Sequence, residues 1–145
     1  MPTGEEAAGR GPMKAYINSN FVIYYVEQHP QWFQKTAARF VALRGQGALL
    51  VVSDLTRMEC QVGPLKTNDT PALQLFANFF QAPDVIVVSV TASVFDRAAQ
   101  IRASYGFKPL DSIHLAAAIE HGCSLFLTKD HQLRRCIDIT VEILS

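Results

Sequence analysis

Short apolar runs rich in Val, Ile and Leu recur along the chain, each parted from the next by a stretch with helical spacing. This alternation limits the possible folds more than any other feature of the sequence. The runs are residues 15–18, 48–52, 85–88 and 125–128, with 139–143 as a late edge strand. They do not alternate cleanly between apolar and polar, as expected of parallel strands covered on both faces. Between them, helices are predicted over 21–28, 31–43, 54–62, 70–81, 91–105 and 109–121, with a short helical turn over 131–136. Several carry end signals: Pro109 lies inside the first turn of its helix, Gly106 and Gly122 follow helix ends, and Gly63-Pro64 is expected to stop the 54–62 helix. The expected fold is α/β, a mainly parallel central sheet flanked by helices in three layers.

A chain of 145 residues with 49% hydrophobic content can bury one sizeable core, so residues 14–145 read as a single domain. Residues 1–13 lack an apolar stretch and read as a disordered leader or tag remnant, with Met13 the more natural first residue. The formal net charge is zero, so a nucleic-acid partner would have to be held by a local patch or a metal rather than by the overall field. The three cysteines, Cys60, Cys123 and Cys136, are widely spaced, as plain core thiols in a reducing compartment would be; the expected location is cytoplasmic. No apolar run is long enough to span a membrane.

Polar residues collect where the strands end. Asn18-Ser19-Asn20 follows the first strand, Ser53-Asp54 the second, with Glu59 further along the next helix, and Thr128-Lys129-Asp130 the last clear one; Asp111 opens the long 109–121 helix. In an open α/β sheet these ends share one edge, where such folds bind ligands. Each residue also has an ordinary structural explanation. Asp111 complements a helix dipole, Thr56-x-x-Glu59 fits a capping box, and Asp130, Ser19 or Asn20 fits a helix cap. Together, however, three acids and an Asn at one edge form a cluster of like charge that calls for a cation. Hard oxygen ligands suit Mg²⁺ or Mn²⁺.

Residues 16–25 (YINSNFVIYY), 53–64 (SDLTRMECQVGP), 106–118 (GFKPLDSIHLAAA) and 127–130 (LTKD) resemble, in order and spacing, the four signature regions of the PIN-domain family, and in particular of VapC-type toxin ribonucleases. The resemblance runs from Lys14 nearly to the end of the chain. It implies Mg²⁺- or Mn²⁺-dependent endonucleolytic cleavage of RNA. Its catalytic and metal-holding positions would fall on Asn18, Glu59, Asp111 and Asp130, with Ser19, Asn20 and Thr128 in support. It also implies a cognate VapB-like antitoxin, a homodimer and possible higher toxin–antitoxin assemblies.

Asn18 departs from the pattern, which has Asp there. An amide keeps the shape but loses the charge and one acceptor, so metal would be held less tightly and cleavage weakened or abolished. An engineered inactivating change and a naturally degenerate domain that binds RNA or protein without cutting both account for it. His114 shares a helix face with Asp111 and reads as a packing or supporting residue rather than a ligand. Trp32 reads as core or interface. Arg57, Arg102 and Lys129 are possible RNA or partner contacts, with a solvated surface as the plain alternative. The aromatic stretch 21–26 is a candidate wall of an antitoxin groove. A response-regulator-like α/β domain is a remote third reading.

Overall fold

The computed structural model of the chain describes residues 11–145, so most of the leader read over 1–13 lies outside the described residues. Five strands form one sheet: β1 (Lys14–Ile17), β2 (Leu49–Ser53), β3 (Val85–Val88), β4 (Leu125–Thr128) and β5 (Thr140–Ile143). Their order is β3-β2-β1-β4-β5 and every pairing is parallel, with Tyr16 opposite Val51 on one side and Phe126 on the other. Among the described residues six helices accompany them: α1 (Ser19–Val26), α2 (Phe33–Gly45), α3 (Asp54–Lys66), α4 (Thr70–Phe80), α5 (Ala92–Tyr105) and α6 (Pro109–Glu120). A 3-10 turn (His131–Arg135) precedes β5.

The period of two along each strand separates two cores. Ala15, Ile17, Leu50, Val52 and Leu127 face a layer that includes Phe21, Phe40, Cys60 and Phe76, from α1 to α4. Tyr16, Val51 and Phe126 face Val94, Ile101, Leu115 and Ala118, from α5 and α6. This is the predicted three-layer arrangement, and it explains why the strands read as unbroken apolar runs. Tyr16 and Phe126 stack at 5.3 Å and are fully buried. Burying a side chain of that size contributes roughly 1.5–3 kcal/mol. In α6, Leu115 and three consecutive alanines are all buried, so the small side chains bring that helix close against its neighbours.

The sheet order differs from that of a response-regulator-like domain, whose first strand lies between the second and third. Here the chain winds outward from β1 through β2 to β3, then returns to the other side of β1 as β4. The direction reverses between β1 and β4, and the carboxyl ends of those two strands flank the crevice where doubly wound sheets take ligands.

Several local expectations need correction. Helix α3 does not stop at Gly63-Pro64 but runs to Lys66 with Pro64 inside it. The missing Pro64 N–H removes one helical bond, but the ring is buried, and that packing offsets the loss. The capping box at the start of α3 is not Thr56-x-x-Glu59. Ser53 is the cap, its backbone N–H donates to Thr56 Oγ1 at 3.1 Å, and Glu59 is left free for other contacts. Neither Ser19 nor Asn20 caps α1. Asn18 does, its Oδ1 accepting from the Ser19 backbone N–H, because the strand ends one residue earlier than expected.

Candidate active site

Asn18 leaves the end of β1 and its amide is committed on both sides. Oδ1 accepts from Ser19 N at 2.9 Å, and Nδ2 donates to Thr128 Oγ1 at 2.9 Å. Thr128 ends β4 and is fully buried; the same Oγ1 accepts from the Asp130 backbone N–H at 3.1 Å. One hydroxyl therefore ties the residue after β1 to the loop after β4. Asp130 in turn caps the following 3-10 turn through Gln132 N at 2.9 Å. Asp130 thus both caps a turn and stands at the rim.

Glu59 comes from α3 on one face of the sheet, and Asp111 and His114 from α6 on the other. They meet over the end of β1. Glu59 Oε1 accepts from Ser19 Oγ at 2.7 Å and from His114 Nε2 at 2.5 Å. The far side of the imidazole, Nδ1, lies 2.7 Å from the Tyr16 hydroxyl, which donates to Ser53 Oγ at 2.9 Å. A buried run Ser53–Tyr16–His114–Glu59–Ser19 therefore crosses the sheet edge. Sequence reasoning treated His114 as a packing or supporting residue, noted Ser53 only as a polar residue at a strand end, and missed Tyr16. The available signal was a tyrosine in a strand buried on both faces, whose hydroxyl must find a partner.

The electrostatics follow from this layout. Burial pushes the Glu59 carboxyl up, but the hydrogen bond and charge of His114, with help from Ser19, outweigh it and hold the group below its ordinary value. For Asp111, burial and then the neighbouring charge of Asp130 raise the carboxyl above its ordinary value, against His114 and Lys108. Burial drives the Tyr16 phenol well above its usual range, so it stays a neutral hydroxyl.

Among the described residues, no three His, Cys, Asp or Glu side chains stand close enough to ligate one ion together. There is no preformed cage. The donors do fit a hydrated hard cation held by one or two carboxylates, the way Mg²⁺ is commonly bound. Asp111 and Asp130 repel each other without a counter-charge. Asn20 Oδ1, in the same turn as Asn18, is buried without a donor, and a water on such a cation would supply one. Asp111 and Asp130 are half-buried.

The weaker candidates are spread out. Arg57 lies on the exposed side of α3. Arg102 donates to the Phe107 carbonyl just before α6. Lys129 sits with its ammonium over the Trp32 ring. Of the aromatic stretch in α1, Phe21 and Val22 are core, while Tyr25 and Val26 line a groove with Phe33, Leu75 and Phe79. A larger groove lined by Val26, Pro64, Ala72 and Leu75 also lies away from the acids.

A family model described as PIN domain matches residues 15–137 of this chain. The chain belongs to the PIN-domain family. No curated protein matches it by sequence. Among solved structures, this PIN domain is similar to a chain of the VapBC2 complex of Rickettsia felis, solved with a promoter DNA fragment. The TM-score is 0.77 at 14% identity, covering 92% of this chain and 100% of that one. It is also similar to a chain of DNA-bound VapBC from Salmonella typhimurium, at TM-score 0.74 and 19% identity, covering 92% and 99%. A third is the sarcin–ricin-loop-cleaving toxin VapC20 of Mycobacterium tuberculosis, at TM-score 0.66 and 12% identity, covering 87% and 98%. At these identities the likeness is one of fold. No helix among the described residues is long and apolar enough to cross a membrane.

Proposed function

We propose that this PIN domain is a VapC-type toxin of a toxin–antitoxin pair, acting in the cytoplasm as an Mg²⁺- or Mn²⁺-dependent endoribonuclease whose cleavage is weakened or abolished by Asn18. The observation that carries the reading is that Thr128 ties Asn18 to the Asp130 loop while Ser19 and His114 hold Glu59 over the same end of β1, with the charges of Asp130 and Glu59 both acting on Asp111. Asp111 and Asp130 would hold the cation, with Asn18 and Asn20 contributing through neutral oxygens. When bound, the cation supplies an acidified water as attacking group and neutralises charge growing on the scissile phosphate. Glu59 takes a fixed orientation from Ser19 and His114, both on Oε1, so the carboxylate does not have to reorganise when substrate enters. Thr128 holds the Asn18 and Asp130 segments in register.

The comparison with VapBC complexes supports a VapB-like antitoxin as partner, and the Tyr25–Val26 groove is its proposed seat. A homodimer, alone or within a larger toxin–antitoxin assembly, belongs to the same reading. A second reading, a degenerate PIN module that binds RNA or protein without cutting, is favoured by the Asn18 amide, because both its polar atoms are satisfied without any ion.

Replacing Asn18 with Asp separates the two. The Thr128 hydroxyl, which accepts from the amide, can rotate to donate to a carboxylate, so the change fits without rearrangement. The nuclease reading expects Asn18→Asp to gain Mg²⁺-dependent RNA cleavage and to bind Mn²⁺ at least tenfold more tightly by calorimetry (about 1.4 kcal/mol). Unchanged Mn²⁺ affinity and no cleavage would leave only the binding module.

A further inference from the structure

We propose that Trp32, Lys35 and Lys129 form a clamp for the phosphates of a single-stranded RNA entering the Asp111–Asp130 rim. The proposal rests on the nuclease reading and adds to it the residues that grip the strand. A chain of zero net charge has no general attraction for a polyanion, so any attraction must be local. The Trp32 ring supplies such a place. The Lys129 ammonium lies 4.0 Å from its centroid and the Lys35 ammonium 5.1 Å. An indole face attracts a cation through its quadrupole, and here it gathers two that would otherwise repel each other.

Neither ammonium is neutralised within the described residues. Arg39, Arg44 and Arg97 each pair with a carboxylate, respectively Glu142, Asp84 and Glu120. No such pair involves Lys35 or Lys129 among the described residues. Their charge is therefore available to an outside anion.

The ring is held in place before any ligand arrives. Trp32 stacks on Tyr24 at 6.4 Å, Tyr24 packs on His29 at 4.8 Å, and His29 Nδ1 accepts from the Trp32 backbone N–H at 3.3 Å. With the ring fixed, both ammoniums are already gathered, and less side-chain entropy is lost on binding. Lys129 stands between Thr128 and Asp130, so its ammonium and one member of the acid pair, Asp130, are borne by the same short loop. A cation on the acids, the Lys129 ammonium next along the chain from Asp130, and Lys35 across the same indole would give one strand successive positive centres for its phosphates. An acidic peptide would meet the same ammoniums but brings no bases to stack beside the indole, so it is the competing outcome of the test.

Trp32 is the only tryptophan of the chain, so its fluorescence reports on this place alone. The protein, with EDTA present, is titrated with a mixed-sequence single-stranded RNA dodecamer at several salt concentrations, and a fluorescein-labelled copy is followed by anisotropy. We expect saturable change in the Trp32 emission. Lys35→Ala and Lys129→Ala should each weaken binding several-fold, and each should reduce the slope of log affinity against log salt by about 0.7. Trp32→Phe, which keeps a ring beneath the ammoniums, should bind more tightly than Trp32→Ala. RNA binding that is unaffected by both lysine variants overturns the clamp and leaves the nuclease reading intact. No RNA binding by the parent in EDTA overturns the clamp, and the Asn18→Asp cleavage assay decides the nuclease reading separately. A glutamate-rich dodecapeptide that binds as tightly, with the same losses in the variants, overturns the assignment to RNA.

Discussion

At the scale of single residues, His114 is the most consequential side chain outside the acids. It is 1% exposed and links Glu59 to Tyr16. His114→Phe leaves part of a buried charge without its donor and is expected to cost about 2–3 kcal/mol in urea unfolding. His114→Gln, whose amide N–H can still reach the carboxylate, should cost less. Equal losses for the two would mean that the ring's packing matters more than its hydrogen bonds. Asp111 behaves oppositely to Glu59 with pH. Its folded value is raised, so its contribution to stability is most favourable at low pH and is lost as pH rises through the raised value. Glu59 is depressed, so its contribution is present above the unfolded value and lost as pH falls through the folded one. Without metal, Asp111→Asn should therefore be more stable than the parent near pH 7, by roughly 0.5–1 kcal/mol for a half-exposed group. The gain should shrink to nothing below about pH 4. Urea midpoints measured in EDTA across that range check it, and a gain that persists at low pH would contradict the charge argument.

At the scale of elements, the helix ends decide where the site residues fall. Gly106 closes α5 with φ of 73°, its N–H bonded to the Arg102 carbonyl at 2.8 Å. An L-residue there is strained, and Gly106→Ala should cost about 1 kcal/mol in thermal or urea unfolding. The strain would fall on the loop that Arg102 holds through the Phe107 carbonyl and that leads directly into Asp111. Three sequence expectations failed at such ends; the Asn18 cap followed from an earlier strand end, and the other two failures came from competition between signals. Gly63-Pro64 is a strong local stop, overridden by burial of Pro64. Thr56-x-x-Glu59 is a sound capping pattern, displaced because Ser53 stands one turn earlier with Thr56 as its reciprocal partner.

At the scale of the whole molecule, the two cores shield the thiols. Cys60 and Cys123 are buried, and desolvation pushes both thiols up to about 12, with the charges of Glu59 and Glu27 adding to the effect at Cys60. Cys136 is shifted upward for the same chief reason. A disulfide reagent such as Ellman's should therefore find little to react with in the native protein at pH 8, and all three cysteines on addition of denaturant. Fast reaction of even one thiol in native buffer would show that a core opens locally. The sheet order also sets the spacing of the site, since β1 and β4 are neighbours in space although their first residues lie far apart in the chain.

What the residues determined alone is the class of fold and the strand ends where polar groups gather. Both are local: runs of Val, Ile and Leu need burial on two faces, and Asn, Ser, Thr and Asp accumulate where the backbone needs caps. The order β3-β2-β1-β4-β5, and with it the meeting of α3 and α6 over β1, was decided only by tertiary packing. Glu59 and His114 are 55 positions apart, and Trp32 and Lys129 are further apart still. No period or cap signal reaches across such separations. Burial of both sheet faces brings those side chains together, and burial is a property of the assembled layers rather than of any one segment.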